Sequence, residues 1–423
     1  MTELAWIDAA FKAARPQALG ALLRYFRTLD LAEEAFQEAC LRALKSWPKN
    51  GPPGDPAAWL IFVGRNAGVD QIRKRSKLEA LPDEDQISDK EDAEADMAER
   101  LDGAHYRDDI LRLLFICCHP DLPATQQIAL ALRIVSGLSV KQIARAFLVS
   151  EAAMEQRITR AKGRVAAAGV PFEAPGPAER AERLGLVASM VYLVFNEGYS
   201  TANPDNSNAA LCDEAIRLTR LLIKLFPGEP ELMGLLALML LQHSRLKARF
   251  DARNAIVLLE KQDRALWDRV LITEALALID KAMRHREPGM YQVQAAIAAL
   301  HARAARPEDT DWAEIELLYR MLEKLQPSPV VTLNRAVAVS KARGAEAALA
   351  IVEPLAEELS GYFYFHGVRG GLLKELGRAA EARESFDRAI ALANSPAEAA
   401  HIRDHLDSLA DISAGKAKVV VDG

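Results

Sequence analysis

Apolar residues recur at spacings of three and four along nearly all of this 423-residue chain, and short breaks holding proline or glycine separate the runs. That periodicity admits helices and leaves little for strands. Ala and Leu dominate, β-branched runs are scarce and only 6% of residues are aromatic, so the expected fold class is all-α, in two to four domains. The most apolar window, residues 232–241, is about half the length a membrane-spanning helix needs and reads as a buried core helix. The first residues set acids ahead of any apolar run and carry no small-residue cleavage pattern, which predicts a cytoplasmic protein with no membrane partner. Cys40, Cys117, Cys118 and Cys212 are too few and too irregular for a disulfide framework and are expected reduced.

The net charge of −6 is unevenly spread. Residues 1–80 hold 12 basic and 9 acidic side chains, net +3, and residues 104–170 hold 9 and 5, net +4. Between them, residues 81–103 carry ten acids against Lys90 and Arg100, net −8, and residues 171–423 are net −5. Two basic modules therefore flank an acidic tether, and the overall sign says little about what either module binds.

In the second module, GLSVKQIARAFLVSEAAMEQRITRAKGRV (residues 137–165) holds two amphipathic patterns around a turn. Val140, Ile143, Ala144 and Phe147 form the first stripe; Ala153, Met154, Ile158, Ala161 and Val165 form the second, with Ser150 placed to cap it. This is a helix-turn-helix pattern, in which the second helix enters the major groove. Gln156, Arg157, Arg160, Lys162 and Arg164 lie opposite the stripe, and Arg and Gln suit guanine and adenine edges. In the first module, Asp55 and Pro56 open a helix that mixes Trp59 and other apolar residues with Arg65, Asn66, Arg73, Lys74, Arg75 and Lys77. An aromatic wall beside guanidinium groups suits a base removed from its stack. The preceding helix puts Glu33, Glu34, Gln37 and Glu38 on one side and Phe36, Cys40 and Leu44 on another, an arrangement that can dock on a protein.

The ungapped runs AEEAFQEACLRAL, WLIFVGRNAGVDQIRKR and GLSVKQIARAFLVSEAAMEQRITRAK, in that order, resemble domains 2 and 4 of extracytoplasmic-function sigma factors. The resemblance implies domain 2 over residues 1–80, an acidic linker over 81–103 and domain 4 over 104–170. It implies two partners, core RNA polymerase and promoter DNA. Glu33, Glu34, Gln37 and Glu38 match positions that bind the clamp helices of the polymerase largest subunit, and domain 4 would meet the flap of the second subunit. Trp59, Arg65, Asn66, Arg73, Lys74 and Arg75 match the capture of the melted minus-10 element, with Asp70 a structural partner for a nearby arginine. Glu151, Gln156, Arg157, Arg160, Lys162 and Arg164 match the reader of the minus-35 element. Ala35 and Cys40 depart from larger apolar residues common in the family, and Glu155 stands where many members carry a base. The acid-rich linker offers one way to hold the two basic modules together in the free protein.

Residues 171–423 need a separate explanation. After Pro171, Pro175 and Pro177, which read as a hinge, helical patterns continue, and Gly370, Gly377, Ala382, Phe386 and Ala389 fall at tetratricopeptide-repeat offsets. Weaker traces are Ala215, Leu222, Pro227 and Ala237, then Ile315, Tyr319, Leu322 and Pro327, with Pro396 further along. With VYLVFNEGYSTANPDNSNAALCDEAIRLTRLL and TDWAEIELLYRML, this region resembles the helical, repeat-bearing extension of one sigma-factor subgroup, where it implies regulation and a protein or ligand partner of its own. In FNEGYS, Asn196 and Gly198 are expected to shape a turn and Glu197 to pair with an arginine. His285, His301 and Trp312 are expected in the core or lining a groove. No catalytic spacing appears, Cys117, Cys118 and His119 lack the second cluster a zinc site requires, and the chain is expected to be no enzyme and to need no cofactor or metal. The rival reading is a conventional helix-turn-helix regulator with a repeat-built sensor, which predicts a dimer on a symmetric operator.

Overall fold

Local signals start the helices where the periodicity places them. Asp55 accepts hydrogen bonds from the amides of Ala57 (2.9 Å) and Ala58 (3.1 Å), and Pro56 occupies the first helical position. The computed structural model describes residues 5–51, 53–77, 103–119, 121–147, 149–168, 177–200, 209–251 and 257–393, with 399–400, 402–403 and 405–407; these are helices and their connections, and no strand occurs among them. None of the described helices is long and apolar enough to cross a membrane. The acidic tether up to residue 102, Pro171, Pro175 and Pro396 lie outside the described residues.

The chain forms two compact units, the first holding α1 to α8 and the start of α9, up to Ala215. Helices α1 (Ala5–Phe26), α2 (Leu29–Asn50) and α3 (Pro56–Lys77) pack mutually around Leu19, Leu22, Phe36 and Leu60. Trp47 gathers Trp6, Phe11 and Trp59 within 6.2 Å between ring centroids. Helix α4 (Gly103–Cys117) lies against α1, so closely that a Cβ at Gly20 would stand 3.0 Å from the Asp109 carbonyl oxygen. Helices α5 (Ala124–Ile134) and α6 (Val140–Ala146) pack on α7 (Glu151–Ala167). Helix α8 (Pro177–Ser200) then packs on α4 and α5 through an apolar face that includes Val187, Val191 and Val194. The α8 helix corrects the FNEGYS expectation: Asn196, Glu197 and Gly198 are helical, because burying Phe195 and Gly198 outweighs the weak helix propensity of Asn and Gly. Glu197 is half-buried, and burial raises its pKa.

The second unit takes α9 (Ala209–Leu225) from Ile216 onward. Helix α10 (Pro230–His243), buried from Leu232 to Leu241, is the apolar window recognised in the sequence, and α11 (Arg269–Met283) and α12 (Met290–Arg303) both pack on it. Gly234 lets α12 approach, since a Cβ there would meet the Gln292 amide nitrogen at 2.6 Å. Helices α13 (Trp312–Leu325), α14 (Pro329–Arg343), α15 (Ala345–Val352), α16 (Phe363–Glu375) and α17 (Ala379–Leu392) follow as successive neighbours, each packed on the one before. Gly377, at φ 73°, turns α16 into α17, where Ala382, Phe386 and Ala389 are buried. This is the helical hairpin that the repeat offsets predicted.

Candidate nucleic-acid and polymerase interface

The helix-turn-helix is built by its caps. Ser139 and Gln142 form a reciprocal capping box at the start of α6, and Ser150 accepts from the Ala153 amide at 3.2 Å to start α7. Met154, Ile158, Ala161 and Val165 are buried along one face of α7; Ala153, expected with them, is exposed because it lies one position off their four-and-three spacing. Glu151, Gln156, Arg160 and Arg164 are exposed and Arg157 is half-buried. Arg160 donates to the Gln156 side chain at 3.1 Å, so these two hold one another in place on the outward surface. Glu155 shares that surface and reduces its positive charge.

On α3, Arg65 and Asn66 are exposed, whereas Trp59 is half-buried with its ring edge-on to Trp47 at 5.4 Å. Arg65 lies over the ring of Tyr25, 4.5 Å from its centroid, and Tyr25 is itself exposed. No sequence signal singled out Tyr25: its ring reaches Arg65 from α1, forty residues away in the chain. Arg73, Lys74 and Arg75 lie on the last turns of α3, but their side chains fall outside the described residues. Asp70 is half-buried on the same helix.

Helix α2 divides its polar residues between two environments. Gln37 is exposed, Glu34 and Glu38 are partly exposed, and Leu41 and Leu44 stand in solvent at 54% and 43% exposure. Leu44 was grouped with the apolar side; the buried face of α2 is instead Ala32, Ala35, Phe36, Ala39, Ala43 and Trp47. Glu33 is only 5% exposed. Its carboxylate takes a hydrogen bond from Lys162 and has Arg15 at 3.7 Å, and Lys162 also reaches Asp30 at 3.1 Å. A residue expected to face polymerase and one expected to face DNA therefore touch each other. Burial pulls the Lys162 pKa down, but the hydrogen bonds and charges of Glu33 and Asp30 outweigh it, and the net shift is upward. Arg15 donates to the carbonyls of Ile134 (2.8 Å) and Arg133 (3.2 Å), and Arg24 pairs with Asp109 at 3.4 Å.

Elsewhere, no group of three or more metal-ligating side chains gathers among the described residues. Cys118 and Cys40 are pushed up to about 12 by burial, and the wholly buried Cys117 also lies well above the usual thiol value. In the second unit, a cavity of about 260 Å³ opens between α10, α11, α12 and α13, lined by Ile279, Met283, Val293, Leu318 and Met321 with Arg286 and Glu287 also in its wall. His301 sits edge-on to Trp312 at 5.2 Å, both on faces turned towards their neighbours.

Three known families match parts of the chain. Residues 10–78 match the sigma-70 region 2 family and residues 112–165 match sigma-70 region 4. Residues 183–283 match a family of unknown function, DUF6596, whose span runs from α8 in the first unit to α11 in the second. An uncharacterized protein of Rhizobium meliloti (strain 1021) is 74% identical over 411 residues, 97% of each chain.

Proposed function

Because the chain belongs to the sigma-70 family, as an extracytoplasmic-function-type factor with a helical carboxy-terminal extension, we propose that it binds core RNA polymerase and directs it to promoters with two separated elements. A role in promoter recognition follows from the two sigma regions; the binding of core and the individual contacts are our reading. The observation that carries it is the outward row Gln156, Arg160 and Arg164 on a capped recognition helix, joined in one chain to a region 2 helix presenting Arg65 and Asn66. Glu151, Gln156, Arg157, Arg160 and Arg164, with Lys162 once it is released, meet the minus-35 duplex. Trp59, Arg65, Asn66, Arg73, Lys74 and Arg75 hold the unstacked minus-10 strand. Glu33, Glu34, Gln37 and Glu38, with Leu41 and Leu44, meet the clamp helices, and region 4 meets the flap. Binding energy drives promoter opening, and the nucleotidyl transfer belongs to polymerase.

The extension regulates this activity, and its apolar cavity offers a seat for a small ligand or a partner side chain. Run-off transcription with core enzyme on genomic promoter fragments tests both statements. We expect transcripts with the full chain, and a changed yield with a chain ending after α8, which keeps the helix that packs on α4 and α5. Absence of any transcript together with protection of a symmetric duplex site would favour the conventional regulator.

A further inference from the structure

We infer that the free protein closes its region 2 and region 4 modules on each other, with Lys162 bound to Asp30 and Glu33 as the latch, so that closure competes with core polymerase and promoter DNA. The inference rests on the sigma-factor reading and adds a regulatory contact to it.

The contact joins segments far apart in sequence. Lys162 projects from the recognition helix α7 onto the first turns of α2, where it meets Asp30 at 3.1 Å and hydrogen-bonds the Glu33 carboxylate. The Lys162 side chain is 24% exposed and that of Glu33 only 6%, whereas Asp30 remains 77% exposed. An ammonium held between two carboxylates cannot at the same time neutralise a phosphate, and a carboxylate this deeply covered cannot meet a clamp helix. One contact thus withdraws one group from each of the two proposed interfaces.

Three further contacts align the modules around the latch. Arg15 of α1 donates to the last carbonyls of α5, groups that a helix end leaves without intrahelical partners. Gly137, at φ 71°, leaves the space that the Arg15 side chain occupies; a Cβ there would lie 2.8 Å from Arg15 Cδ. Arg24 reaches Asp109, which Arg112 also holds at 3.0 Å. The latch and these contacts are largely polar, and groups of that kind regain water or a new partner when they separate; opening must also part the packing of α4 on α1. Gln37, Glu38, Leu41 and Leu44 stay in solvent while closed and give core polymerase a first foothold.

The test is zero-length carbodiimide cross-linking of the intact chain, read by mass spectrometry, beside equilibrium binding to core polymerase. The free chain should yield Lys162 linked to Glu33 or Asp30, and saturating core should abolish that link. Asp30→Asn, which removes one of the two latch carboxylates and is not itself one of the proposed binding residues, should tighten core binding about two- to fivefold by raising the open fraction. No such link in the free chain, a link that persists undiminished on core, or unchanged affinity for Asp30→Asn would overturn the latch. Failure of the wild-type chain to bind core at all would overturn the sigma reading and the competition with it, while the cross-link would still report the closed contact.

Discussion

His301 shows how one buried side chain ties stability to pH. Burial, aided by the charges of Arg245 and Arg264 and opposed by Glu260, pushes its pKa down to about 4. The folded value lies below the unfolded one, near 6.5, so between these limits the unfolded chain takes up a proton that the folded chain refuses. Stability contributed by the neutral ring is complete above about pH 6.5 and is lost as the pH falls towards 4. We expect thermal unfolding of the second unit to show a loss of about 2 kcal/mol at pH 5 relative to pH 7, and His301→Gln to flatten that dependence. A second residue-scale prediction concerns promoter contact: Arg157→Ala should weaken holoenzyme binding by about 1–3 kcal/mol if its guanidinium reads a base edge. Loss of preference at a single minus-35 position would accompany that change. Cys117 and Cys118, buried and held as neutral thiols, should resist a thiol reagent at pH 7 until the first unit unfolds.

At the scale of elements, caps and periodicity made the recognition helix legible: Ser150, Met154, Ile158, Ala161 and Val165 all stand where the pattern put them. The α16–α17 hairpin was legible for the same reason, since small residues at fixed offsets mark where two helices must approach. Gly370 is the tightest such place, because a Cβ there would lie 2.6 Å from Phe386. Gly370→Ala should therefore destabilise the second unit by about 1–3 kcal/mol, read by chemical denaturation, with little effect on the first. The FNEGYS segment misled because Asn and Gly favour turns locally, while the packing of Phe195 and Gly198 is decided by helices elsewhere in the chain. Tyr25 was missed for a related reason: its cation–π contact with Arg65 joins different helices, and neither local pattern announces it.

Across the whole molecule, segment charge revealed two basic modules but not how they meet. Lys162 was read as a minus-35 contact and Glu33 as a polymerase contact, each from its own helix, and nothing in either pattern could reveal a pairing across 129 residues. The break between compact units was equally hidden, because α8 continues the helical pattern of the extension yet packs with the first unit. The central claim is that this chain recognises promoters as a subunit of polymerase. Nuclease footprinting of a target promoter, with the full chain in the presence and absence of core enzyme, tests it most directly. We expect protection of two separated, asymmetric elements that requires core, with strand opening at the downstream one. Symmetric protection by the chain alone, unchanged when core is added, would contradict it.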